Sequence, residues 1–185
     1  MKQIDNSFEI SSSGVTFTSV ARDISLSQAR IDELSHKSIW AIPIKNYHGK
    51  EGLFFFGGTR EFYMFCQEHT TEQNMDFCIE KSEYLEIDLN SVELFLGTFL
   101  ISSIVIPVFV NLISNFINSK LIDKNDKLTI NIIINNISQD NSTNIYFSGT
   151  KKDFEIKVLK TLATYNEKGQ TQPPNISGSK VDVLS

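Results

Sequence analysis

Cys66, His69 and Cys78 carry the side chains best suited to chemistry in this sequence. Cys66-x-x-His69 followed by Cys78 offers three zinc-type ligands. A structural zinc site takes four, usually as two tight pairs. No second pair stands nearby, so the pattern reads as two buried thiols beside a surface imidazole, with no metal. Cys66 and His69 also form a nucleophile and base spacing, but activation needs hydrogen-bond contact and a third orienting group, and nothing marks one. Gly57-Gly58-Thr59-Arg60 sits between an expected strand and an expected helix. Free backbone N–H groups at a helix start can hold an anion, so these four residues are the candidate ligand-binding site. Their spacing matches neither the Walker motif nor the dinucleotide fingerprint, and a tight turn with Thr59 as N-cap explains them as well. Glu80, Glu83, Glu86 and Asp88 crowd one stretch. Paired carboxylates can do acid–base work, but an alternating strand showing its polar face accounts for them better. Trp40, Tyr47, Phe54, Phe55, Phe56, Phe62, Tyr63 and Phe65 could stack bases. Only Lys45, Lys50 and Arg60 interleave with them, which favours a Phe-rich core. No catalytic residue, cofactor or metal is expected.

The composition narrows the classes further. The chain has 185 residues, 41% hydrophobic with 14 Phe, and a net charge of −5. That is enough apolar material for a core. The acidic balance argues against a broad grip on nucleic acid. The charge is uneven: net −6 over residues 1–91 and +1 over 92–185. Two cysteines do not make a disulfide scaffold. The opening residues lack the apolar run of a secretory signal, so the expected location is the cytoplasm. The N-x-S/T sequons at Asn136, Asn141 and Asn175 carry no weight there.

The elements that must position these residues follow from periodicity. Residues 7–10 and 15–21 alternate around Ser-Ser-Ser-Gly and read as a hairpin. Ser25-x-x-Gln28 resembles a capping box. Residues 39–45 read as a strand, placed at a sheet edge by Pro43. Residues 47–50 read as a turn, 52–56 as a strand, 60–68 as a helix, and 76–79 and 84–89 as short strands.

From 94 to 119 run 26 residues without a charge. As one helix, kinked at Pro107, they would span about 39 Å, more than a bilayer core of about 30 Å. Asn111, Ser114, Asn115 and Asn118 line one face of the second half. Phe95, Phe99, Ile104, Val105, Phe109 and Phe116 are the candidate residues for an interface or membrane surface. A core helix packed under a sheet, an oligomer-facing helix and an inner-membrane segment all fit this hydropathy. Residues 128–137 and 143–148 then alternate as two strands, ending at Gly149. Thr150-x-x-Asp153 caps a helix with Phe154, Val158, Leu162 and Tyr165 in one stripe. After Asn166 the sequence reads as a polar tail.

The expected class is α+β, in four segments: an acidic Phe-rich mixed sheet with helices (1–91), a long uncharged helix (92–120), a ββα unit (121–165) and a tail (166–185). From 94 to 162 the pattern resembles the effector-associated constant component, a small α/β module of bacterial conflict and anti-phage gene clusters. Ile106-Pro107, Leu121, the strand 129–137 and 146–149 leading into 153–162 carry the resemblance. It implies an adaptor in a multi-protein antiviral defence system, beside an effector and not itself catalytic. The expected partner is another protein or a second copy, with no nucleic acid. The rival readings are a membrane-associated effector acting through 94–119, single-pass or peripheral at the inner membrane, and a nucleotide or small-ligand domain at Gly57-Gly58.

Overall fold

The alternation of isoleucines in 128–134 builds the centre of an α+β fold. The computed structural model describes residues 6–70, 74–89, 91–135 and 141–167. In it, β8 (Lys127–Asn135) buries Leu128, Ile130, Ile132 and Ile134 completely on one face. β9 (Ser142–Thr150) returns antiparallel, with Ile145 and Phe147 on the same side. Around this hairpin lies a six-stranded sheet in the order β1-β9-β8-β7-β2-β5. β1 is Ser7–Ser13, β2 Ile39–Ile42, β5 Met75–Phe77 and β7 Leu94–Ser102. A second sheet of three strands holds β3 (Ile44–Tyr47), β4 (Lys50–Phe56) and β6 (Leu85–Ile87).

Helices cover both faces of the large sheet, so β2 and the second half of β7 are buried on both sides. α3 (Gly57–His69) and α4 (Ile106–Lys120) pack on the face of Phe99, Ile101, Ile130 and Ile132. The C-terminal helical run joins them there. It comprises α5 (Lys151–Asp153), a π-helical stretch Phe154–Leu159 and α6 (Lys160–Glu167). Phe154, Val158 and Leu162 keep their stripe inward and fully buried. Thr150 caps this run as its spacing indicates, accepting from the Asp153 N–H. On the other face, α1 (Phe17–Asp23) and α2 (Gln28–Ser35) cover Trp40, Leu100 and Ile133.

The uncharged run 94–119 is not one helix. Its first part, with Phe95 and Phe99, is strand β7, parallel to β8 and antiparallel to β2. Ile104 and Val105 lie in a 3-10 turn, Ser103–Val105, and only Ile106 onward is α-helical. Pro107 sits in the first turn of α4, where no intrahelical N–H is lost, and kinks nothing. β7 escaped notice because a strand buried on both faces shows no alternation. At 15 residues α4 is about 22 Å long. Phe109, Ile113, Phe116 and Ile117 are buried against the sheet, and Asn111, Asn115 and Asn118 face solvent. α4 is thus the crossover between parallel neighbours β7 and β8.

Four other expectations shift. The hairpin over 7–21 is absent: β1 pairs with β9, and 17–23 is α1, capped by a Thr16–Ser19 box. The cap of α2 is Ser27, not Ser25, which takes a positive φ before it. Residues 39–45 are not one strand: Pro43 separates β2, interior to the six-stranded sheet, from β3, at an edge of the other. Gly149 does not end β9, which runs to Thr150. Residues 139 and 140 of the expected turn, the sequons at Asn136 and Asn175, and the tail from 168 lie outside the described residues.

Candidate functional site

Helix α3 begins directly from β4, with Phe56 as N-cap and no side-chain cap bond. Thr59 is not the cap. It is buried, and its hydroxyl donates to the Leu96 carbonyl at 2.9 Å. The helix start is thereby docked on β7 where that strand shifts register, between Phe95 and Gly97. Gly97 takes φ +74, and a Cβ there would lie 3.0 Å from Thr59 Oγ1. A Cβ on Gly58 would collide with the Phe95 carbonyl oxygen. Gly57 faces Glu86, whose carboxylate oxygen lies 3.7 Å from the place of an added Cβ. The glycines therefore serve close backbone packing, and a protein carboxylate already lies beside the positive end of the helix. Arg60 is exposed on the next turn. Gly57, Gly58, Thr59 and Arg60 are contiguous, but Thr59 faces inward and a carboxylate neighbours Gly57.

The thiols are separated by the sheet. Cys66 belongs to the core beneath α3 and α4, and Cys78 to the core beneath α1 and α2. Burial pushes both thiols up to about 12, the opposite of an activated cysteine. His69 turns back on its own helix, with Nδ1 2.8 Å from the Phe65 carbonyl and its ring stacked on Phe65 at 3.9 Å. Among the described residues no three His, Cys, Asp or Glu side chains group to hold a metal ion.

The carboxylates hold structure. Glu80 accepts the Ser27 N–H at 2.6 Å, which starts α2 and holds Glu80 below the usual carboxylate range. Glu86 accepts from the Tyr84 hydroxyl at 2.9 Å. Burial and that carboxylate raise Tyr84 above its ordinary value. Glu83 is exposed in the turn after Glu80. Sequence reading passed over the strongest polar cluster, centred on Arg30. This guanidinium is 5% exposed. Its Nε donates to the Ile79 carbonyl, its Nη2 to the Phe77 carbonyl, and its Nη1 meets Asp76 at 3.2 Å and Glu33 at 2.9 Å. Apart from Glu33, three positions on, its partners lie more than forty positions away, so local pattern shows at most an i,i+3 ion pair.

The aromatic residues form the core. Phe62 meets Phe99, Phe109 and Phe116 at 5.3–6.0 Å between ring centroids. Phe55 stacks on Tyr84, and Trp40 stacks on Phe17 while its Nε1 donates to the Leu34 carbonyl. Of the six candidate interface residues, Phe99, Phe109 and Phe116 are fully buried and Phe95 packs on Phe56. Val105 is half-buried against the core. Ile104 alone stands out, 74% exposed. One turn on, Val108 is 44% exposed. Val108 borders a shallow depression lined also by Cys66, Gln67, Thr70, Asn74 and Leu112. Val108 thus places an exposed apolar side chain at this depression, one turn after Ile104 at the start of α4. The helical segment Ser103–Lys120 is long and apolar enough to cross a membrane by length and composition alone, with its apolar stripe turned to the sheet.

No family model matches the sequence, and no curated protein or solved structure is similar to the chain.

Proposed function

We propose that the chain is a non-enzymatic interaction module, an adaptor within a multi-protein bacterial defence or conflict system, working in the cytoplasm. The observation that carries the reading is the exposed pair Ile104 and Val108 beside the depression at the start of α4. Covering what is exposed of the two side chains contributes about 2 kcal/mol for Ile104 and about 1 kcal/mol for Val108, a useful centre for a protein contact. The internal use of the reactive groups supports it too: both thiols are core residues, and Glu33, Glu80, Glu86 and Arg30 are tied into the fold. The resemblance over 94–162 supplies the kind of system.

The test compares tagged wild-type protein with Ile104→Glu/Val108→Glu, each co-expressed with the products of neighbouring genes. The expected result is a discrete complex for wild type, lost in the variant while its circular dichroism and Tm hold. Equal recovery of the same partner by both proteins defeats this surface. A wild-type chain that binds none of them defeats the adaptor reading.

A second reading, association with the inner membrane, is favoured by the apolar segment Ser103–Lys120. Alkaline carbonate washing of membranes separates the two. Protein that stays in the pellet until detergent is added supports the membrane reading; protein in the supernatant supports the adaptor.

A further inference from the structure

The two edges of the six-stranded sheet are finished differently. At the β5 edge, the Asn74 carbonyl accepts the Ile39 N–H at 3.0 Å and the Cys78 N–H donates to Ala41 at 2.8 Å. Even-numbered residues thus face β2, and the odd-numbered carbonyls of Phe77 and Ile79 face outward. Arg30 donates to both. Helix α2 closes that edge with its guanidinium.

Among the described residues the β1 edge carries no such closure. β1 pairs with β9 over seven consecutive residues, Ser7↔Ser148 through Ser13↔Ser142, with no register shift. It has no proline and no bulge, two devices that blunt an exposed edge, and its single charge is Glu9. Among the described residues no backbone hydrogen bond reaches β1 from outside the β9 ladder. Glu9, Ser11 and Ser12 are exposed, while Phe8 and Ile10 are half-buried at the rim of the core.

We propose that β1 pairs antiparallel with β1 of a second copy, about a twofold axis at Ile10, so that one sheet runs through both chains. The charge pattern selects this register. An axis at Glu9 sets the two Glu9 carboxylates directly opposite, which is repulsive. An axis at Ser11 leaves Ser7 and Phe8 outside the ladder. An axis at Ile10 pairs all seven residues: Glu9 faces Ser11, Phe8 faces Ser12, Ser7 faces Ser13, and Ile10 meets Ile10. Such a contact is isologous and closes at two copies. It joins the half-buried Ile10 side chains and extends the core cluster across the axis. The inference goes beyond the adaptor reading and uses none of the residues at the start of α4, so the two stand or fall separately.

Analytical ultracentrifugation of the full chain tests it, at about 100 µM, where a micromolar Kd is saturated. The expected series has three members. Wild type is a dimer. Ser11→Glu, which sets Glu9 against a new carboxylate twice per dimer, weakens Kd about tenfold or more with unchanged circular dichroism. Glu9→Lys/Ser11→Glu restores the dimer by opposing unlike charges. Three results overturn the proposal: monomeric wild type, a Ser11→Glu dimer of unchanged Kd, or failure of the charge swap to restore association. Should Ser11→Glu fail to fold, Ile10→Cys decides. Oxidation then gives a covalent dimer, since Cys66 and Cys78 are buried; no covalent dimer overturns the proposal.

Discussion

Thr59 Oγ1 donates to the carbonyl of Leu96, the residue at which β7 slips register against β8. The bond ties the first turn of α3 to a bulged strand, and Gly97 leaves room for it. Thr59→Val keeps the shape and removes the donor, leaving a buried carbonyl without its partner. The expected loss is about 1–3 kcal/mol in urea unfolding. Thr59→Ser should recover most of it; a serine variant as weak as the valine would disprove the role of the bond. Gly97→Ala should also destabilise, through positive φ and the approach to Thr59.

Arg30 joins α2 to β5 and the residues after it. Arg30→Met should cost about 3 kcal/mol, because it removes the cation beside Asp76 and leaves the Ile79 carbonyl without its donor. It also opens the β5 edge, so aggregation on mild heating should rise. Arg30→Lys should rescue little, since one ammonium cannot reproduce the fork. Urea midpoints and light scattering measure both effects.

The two thiols should be inert in the native state. With both pushed up to about 12, only about one in ten thousand is thiolate at pH 8. Iodoacetamide should leave native protein unmodified over a time that labels both sites in 6 M urea, a concentration that unfolds typical small domains (about 1–3 kcal/mol per molar). Rapid native labelling of either cysteine, read by mass spectrometry, would contradict the buried placement.

Glu33 and Glu80 lie below the usual carboxylate range, Glu33 held by Lys81 and Arg30 and Glu80 by the Ser27 backbone N–H. A lowered folded-state value adds stability above the unfolded value, and that stability is lost as pH falls through the folded one. Tm should therefore drop on acidification from roughly pH 5 to pH 3. Glu33→Gln/Glu80→Gln should start lower at neutral pH and fall less steeply. Parallel curves for variant and wild type would show that these two groups do not set the acid limb.

Local periodicity made part of this fold legible. β8, β9, α3 and the capped C-terminal run each have a clear apolar face, and the Asn face of α4 reads directly from spacing. Segments with two buried faces did not. Residues 94–102 lack alternation, and their bulge breaks what parity remains. Gly97 and the placement of Pro107 were the available hints, since a first-turn proline starts a helix where a mid-helix one bends it. Residues 15–21 alternate like a strand, yet the Thr16–Ser19 box makes them helical. Arg30 meets Asp76, Phe77 and Ile79 only through tertiary structure. At the candidate surface, the sequence reading grouped Ile104 with Phe99, Phe109 and Phe116; Ile104 is exposed and the other three are core. Hydropathy ranks all four alike.

The pairing of β1 with β9 also sets an order of events during synthesis. Ser13 and Ser142 are separated by 129 positions, and β9 is the last strand to leave the ribosome. At about 5–20 residues per second, β1 waits on the order of ten seconds without β9, its neighbour in the sheet. During that wait, nascent β1 strands on adjacent ribosomes of one message stand open to each other before their own sheet exists.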